Sequence, residues 1–186
     1  MTENSKTPSA KRPRIATVWL DGCSGCHMSL LDLDERILPI AAQCEIVYGP
    51  LVDAKEVPEG IDLALIEGAV STDRDWHLAR ELRSRSAFVI GFGDCAVTGN
   101  VPSMRNNIPV ASLFRQVYER RDSAGSQRPS QHLPKLLERA LPLHEIIAVD
   151  LFLQGCPPKA DVIFYVLTEL LAGRHPDATS FTHFGA

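Results

Sequence analysis

No apolar run in this chain approaches the ~18 residues needed to cross a bilayer as a helix. The first fourteen residues, MTENSKTPSAKRPR, lack the apolar segment of a secretory signal, and Lys11, Arg12 and Arg14 form no twin-arginine motif ahead of one. A flexible N-terminal arm over 1–14 and a cytoplasmic location are the expectations. A strong excess of one charge is missing too: the net charge is −4, which gives no general attraction to nucleic acid or to an anionic membrane. There is no internal repeat, no Ser–His–Asp arrangement, no phosphate-cradling glycine loop and no GxGxxG, so any dinucleotide is expected to bind elsewhere. What is present fits one globular domain with a buried core: 186 residues, 45% of them hydrophobic and 23% charged.

Short β-branched or apolar runs predict strands at Ile15–Leu20, Cys44–Gly49, Asp62–Gly68, Ala87–Gly93 and Ile146–Asp150, the first and fourth of them buried. Between them, Met28, Leu30, Leu31, Leu33, Ile37 and Leu38 carry helical spacing, ended by Pro39. Ser71 or Thr72 would cap a second helix that starts with acidic residues. One helix is expected around Ser112–Arg121, then a polar linker, and a short helix over Leu133–Ala140. A strongly apolar helix from Ala160 to Arg174 ends at Gly173, with Pro158 available to start it. Strands alternating with helices imply an α/β domain over 15–174, with a tail over 175–186. Its sheet is flavodoxin-like: doubly wound, mostly parallel, five-stranded and covered by helices on both faces.

There are five cysteines. In a reducing compartment clustered cysteines lean towards metal binding or redox chemistry rather than disulfides. Cys23 and Cys26 follow the first strand, Cys95 the fourth and Cys156 the fifth. A parallel sheet lines up its carboxyl ends on one edge, so these four converge although they are far apart in sequence. Four thiolates on loops, with Gly22, Gly25, Gly91, Gly93, Gly99 and Gly155 nearby, are what a [4Fe–4S] cluster needs. Two other chemistries use the same residues: a thioredoxin-like redox pair from Cys23 and Cys26 alone, and a four-cysteine zinc site. Zinc sites more often come as two close pairs. Cys44 opens the second strand at the opposite edge and reads as a small core hydrophobe.

The segments WLDGCSGCHMSLLD (Trp19–Asp32), IEGAV (Ile66–Val70), GDCAVTGNVPSMRN (Gly93–Asn106) and GCPPKAD (Gly155–Asp161) resemble, in order, those of [NiFe] hydrogenase small subunits. The resemblance implies that Cys23, Cys26, Cys95 and Cys156 ligate the proximal [4Fe–4S] cluster. It places the nickel–iron centre on a separate large subunit. No further cysteine follows Gly173, which is similar to the short small subunits of cytoplasmic bidirectional hydrogenases, especially the NAD-reducing type. There a diaphorase pair carries further clusters, FMN and NAD. The quinone-reducing subunit of complex I is a relative whose pattern starts with adjacent cysteines, unlike CSGC here; a stand-alone flavin or thiol redox protein is the other alternative. FMN on this chain is left open, since no motif for it is present. Glu67 falls in the family's EG motif, where it would help shape the subunit contact or stand as a solvated carboxylate. His27 is expected to hydrogen-bond locally, His77 to lie at the surface, Trp19 to insulate the cluster, face the partner or fill the core, and Arg105 to pair with a partner's carboxylate or stay solvated.

Overall fold

The computed structural model describes residues 11–119, 131–178 and 181. The elements are β1 (Arg14–Trp19), α1 (Gly25–Leu31), α2 (Ile37–Gln43), β2 (Glu45–Tyr48), β3 (Ile61–Glu67), β4 (Val70–Thr72), α3 (Asp73–Arg85) and β5 (Ser86–Phe92). They continue with α4 (Asp94–Thr98), α5 (Asn100–Ser103), α6 (Val110–Phe114), β6 (Leu136–Leu141), β7 (Leu151–Leu153) and α7 (Ala160–Leu171). The main sheet runs β2-β1-β3-β5-β7, and each neighbouring pair in it is parallel. That is the flavodoxin-like strand order, with the chain reversing its direction of travel across the sheet after β2.

Alternation along the strands divides the core into two halves. Ile15, Leu63, Leu65, Ile90, Phe92 and Leu153 pack on one face against Leu33, Ile40 and the apolar stripe of α7 formed by Val162, Ile163, Val166 and Leu167. Ala16, Val18, Ala64, Ile66 and Val89 pack on the other, against Ala79 and Leu82 of α3 and Ala96 of α4. Thr72 caps α3: its Oγ1 accepts from the Asp75 N–H at 3.1 Å, while Asp75 Oδ2 accepts from the Thr72 N–H at 2.9 Å. This reciprocal box satisfies donors that a helix start otherwise leaves open. Thr72→Ala is expected to lower stability by about 1 kcal/mol. A lower urea midpoint at unchanged slope would register it; an unchanged midpoint would mean that water substitutes for the cap.

Four sequence expectations give way to the tertiary structure. The first helix is broken. Leu33 turns fully into the core and Asp34 takes a φ of +51°, after which Pro39 sits in the first turn of α2, where a missing N–H leaves no bond unmade. In place of a helix over 133–140 the chain forms β6 from Leu136 to Leu141, which pairs antiparallel with β4. Asn106 fastens it there, with Nδ2 donating to the Ala140 carbonyl at 2.8 Å and Oδ1 accepting the Ala140 N–H at 2.7 Å. The fifth strand comes later than 146–150. The Ile146 and Ile147 N–H groups close a turn onto the Leu143 carbonyl, and Ile147 packs into the α3 side of the core. Asp150 then meets β5 twice, its N–H donating to the Val89 carbonyl at 2.9 Å and its Oδ2 accepting the Val89 N–H at 2.7 Å, and the strand starts at Leu151. Finally, α7 begins at Ala160 as expected, but with Lys159 as its N-cap, so Pro158 stands ahead of the helix instead of starting it.

The helix expected at 112–121 is seen as α6 and a π-helical turn over Arg115–Glu119; its end and most of the polar linker lie outside the described residues. So does most of the proposed arm, residues 1–10, while Arg14 already belongs to β1. No described helix is long and apolar enough to cross a membrane.

A four-thiol site at the carboxyl edge of the sheet

Cys23 lies in the loop after β1, Cys26 is the second residue of α1, Cys95 the second residue of α4, and Cys156 sits between β7 and α7. These positions follow from strands that end at Trp19, Phe92 and Leu153 on the same edge. The four thiols are close enough to act on one another's charge: Cys95, Cys23 and Cys156 each disfavour ionisation of Cys26, and Cys156 and Cys23 do the same to Cys95. Cys44 is not among them. It is buried before β2 at the far end of the sheet, its thiol donates to the Ile40 carbonyl at 3.2 Å, and burial pushes its pKa up.

Burial is the main reason that the Cys26 thiol is pushed far up, followed by the Glu67 carboxylate and then by the other three cysteines. Cys95 is pushed up to about 11, first by burial and then by Cys156, against a lowering from the Val101 backbone N–H that bonds its sulfur. Four thiolates here repel one another, so a cationic metal group is what would let them ionise together. Among the described residues no three His, Cys, Asp or Glu side chains meet closely enough to hold a single metal ion. A cluster of several irons makes a different demand, since its ligands attach at separate corners rather than at one point. The donor set fits such a group.

The backbone leaves room for it. Gly93 has φ +83°, and a Cβ built there would overlap the Cys26 sulfur. Two hydrogen-bonded ties fix the loop of Cys156. Asp94 accepts the Gly155 N–H at 2.7 Å and donates its own N–H to the Gly155 carbonyl at 3.0 Å. From α1, the Ser29 hydroxyl donates to the Pro158 carbonyl at 2.5 Å.

Glu67 is neither solvated nor aimed at a partner. It is 2% exposed. Its Oε1 accepts the Cys26 N–H at 3.4 Å, and its Oε2 accepts the His27 N–H at 3.0 Å and meets His27 Nδ1. His27 Nε2 reaches Thr17 Oγ1 at 2.5 Å, and its ring lies edge-on between Trp19 and Phe92. Thr17 of β1 and Glu67 of β3 thus lock the first turn of α1, which carries Cys26. Trp19 and Met28 remain exposed beside this turn, as do Val101, Met104 and Ile108 beyond Cys95. Arg105 does not project for a partner's carboxylate: its guanidinium braces the carbonyls of Ser71, Leu137 and Glu138. His77 is exposed on α3, edge-on to Trp76.

Glu67, which the motif picked out without its role, could be placed only by knowing that β1 and β3 are neighbours. Gly93 stood out as a glycine near the cysteines, and Asp94 and Asn100 fall in the Gly93–Asn106 segment without a role of their own; Thr17 carries no signal in one sequence and looks like ordinary strand composition.

The profile of the NADH ubiquinone oxidoreductase 20 kDa subunit family matches residues 23–170. One subunit of the F420-non-reducing hydrogenase (vhu) of Methanocaldococcus jannaschii is 39% identical over 165 residues, covering 88% of this chain and 57% of that protein. The delta subunit of the NAD-reducing hydrogenase HoxS of Cupriavidus necator is 34% identical over 172 residues, covering 90% of this chain and 82% of the relative. The crystal structure of an NAD+-reducing [NiFe]-hydrogenase in the H2-reduced state contains a chain 43% identical, with a TM-score of 0.86, covering 90% of this chain and 95% of that one. The present chain therefore spans little more than half of the archaeal relative's length and nearly all of the chain in the NAD+-reducing enzyme.

Proposed function

Because the chain belongs to the family of the NADH ubiquinone oxidoreductase 20 kDa subunit, we propose that it is the electron-transferring small subunit of an NAD-reducing [NiFe] hydrogenase. Cys23, Cys26, Cys95 and Cys156 are then the ligands of one [4Fe–4S] cluster. The nickel–iron centre belongs to a large subunit, and further clusters, FMN and the NAD site to a diaphorase module. The observation that carries this reading is the gathering of four mutually interacting thiols from three loops on one sheet edge, in a chain this similar to one of an NAD+-reducing hydrogenase.

When bound, such a cluster accepts and releases one electron at a time. The chain's own residues hold it and set its surroundings. Cys26, held in the first turn of α1 by Glu67, gives it a buried corner, whereas Cys23 and Cys156 are exposed and face whatever covers this edge. The exposed Trp19, Met28, Val101, Met104 and Ile108 form the apolar margin on which a large subunit would close, excluding water. No bond-breaking chemistry is assigned to this chain. Domain 15–174 carries the function, and the assembly is placed in the cytoplasm, without membrane or nucleic-acid partners.

The test is an iron and sulfide assay with EPR on the anaerobically purified, reduced complex, comparing wild type with Cys95→Ser and Cys44→Ser. Cys95→Ser is expected to remove or alter one cluster signal and Cys44→Ser to leave every signal unchanged. If neither change touches a cluster, or the chain carries zinc, the ligand assignment is wrong. Hydrogen-dependent NAD reduction then tests the acceptor. The F420-non-reducing name of the archaeal relative favours a second reading on this point, in which the same subunit serves a different electron acceptor; hydrogen-dependent dye reduction without NAD reduction would support it.

A further inference from the structure

Between α4 and α5 the chain makes a turn that is costly in backbone terms. Gly99 has φ +82° and is followed by Asn100 at φ +29°. Glycine takes a positive φ freely, and asparagine tolerates it better than other L residues do. The turn brings two N–H donors to two different thiols. The Val101 backbone N–H bonds the Cys95 sulfur, and Asn100 Nδ2 donates to the Cys156 sulfur at 3.5 Å. The turn is itself anchored: the Gly99 N–H donates to the Cys95 carbonyl at 2.9 Å, the Ser103 hydroxyl to the Asn100 carbonyl at 2.7 Å, and the Ser103 N–H to the Gly99 carbonyl at 3.0 Å.

We propose that the Gly99–Val101 turn is a sulfur-bonding clamp, with Asn100 the positioning residue whose amide raises the reduction potential of the group that Cys95 and Cys156 hold. The proposal rests on the four-cysteine reading above. An N–H donor to a thiolate withdraws charge from the sulfur and stabilises the more negative, reduced state; removing the donor lowers the potential. Asn100 is suited to this because it offers a neutral donor at the exposed Cys156, whereas the buried Glu67 carboxylate takes the N–H of Cys26. Charge is thus distributed unevenly around the four thiols, with the Glu67 carboxylate acting on Cys26 and Cys95 and the amide donor on Cys156.

The experiment is an EPR-monitored redox titration of the anaerobically purified hydrogenase complex, comparing wild type with Asn100→Gly and Asn100→Asp. Asn100→Gly removes the donor and relaxes the backbone, so a purely conformational role would leave the potential unchanged or the protein more stable. Asn100→Asp keeps the tolerance for positive φ but replaces the donor with a negative acceptor. The expected order of midpoint potentials is wild type highest, Asn100→Gly lower and Asn100→Asp lowest, at full iron content and with shifted g-values. Equal midpoints in all three, at full iron content, would overturn the proposal. Loss of iron from Asn100→Gly would also overturn it, by making the side chain a structural requirement instead. If wild type itself shows no cluster dependent on Cys95, the ligand reading has failed rather than the role of the turn.

Discussion

Gly93→Ala is expected to empty the proposed cluster site while leaving the sheet folded. The backbone at Gly93 cannot step aside. Its N–H donates to the Leu153 carbonyl at 2.8 Å, which ties β5 to β7, and its carbonyl accepts from Ala96 and Val97 at 3.0 and 3.2 Å. A new methyl group would therefore displace the Cys26 sulfur that it overlaps, and with it one of the four proposed ligands. At φ +83° and ψ 162° Gly93 also occupies a backbone region essentially confined to glycine, which adds a separate cost of about 1–3 kcal/mol. Gly173→Ala separates the two effects. Gly173 has φ +72°, but a Cβ there would meet nothing within 4 Å, so this variant carries strain without displacement. Iron and sulfide assays with EPR should show Gly93→Ala close to empty and Gly173→Ala fully loaded, with the larger loss in thermal stability at Gly93. Wild-type iron in Gly93→Ala would mean that the Cys26 sulfur points elsewhere when the site is loaded.

The same local geometry explains what the sequence made legible and what it hid. Four of the five main strands could be read because each is a run of apolar and β-branched residues; Ile61–Glu67, buried along nearly its whole length, is the clearest case, while β2 at the sheet edge stays largely exposed. The fifth misled because Ile146 and Ile147 look like strand but spend their N–H groups on a turn, and the true strand is only three residues long. LPKLLERA reads as helix by composition, and at Leu136–Leu141 the contacts from Asn106 and Arg105 override that propensity. The meeting of the cysteines was legible from topology alone, since a parallel sheet fixes where its loops emerge. The residues that hold those cysteines were not. Glu67, His27 and Thr17 come from three separate elements, with forty positions of sequence between His27 and Glu67, and only the register Trp19↔Glu67 of β1 on β3 brings them together.

That register sets up the second large effect. Glu67 receives three donors on one carboxylate, two of them backbone N–H groups of the turn that carries Cys26. Glu67→Ala would orphan these buried donors, each at about 1–3 kcal/mol, and leave a hole beneath α1; a loss of roughly 3 kcal/mol or more is expected, together with loss of the cluster. Glu67→Gln is more informative because it keeps the volume. One amide oxygen can still accept, but the NH2 group then faces an N–H, so the turn loosens without collapsing. The negative charge that most strongly opposes ionisation of Cys26 after burial itself is also gone. A group held by Cys26 would therefore be easier to reduce, and its midpoint potential should rise. This is opposite in sign to the shift expected for Asn100→Asp at the other corner. Equilibrium unfolding of both Glu67 variants and redox titration of Glu67→Gln provide the measurements. A fall in potential for Glu67→Gln, or stability equal to wild type for Glu67→Ala, would show that the carboxylate does not hold the Cys26 turn in the loaded protein. If the potential rises as expected, Glu67 and Asn100 act as opposed electrostatic settings on one site.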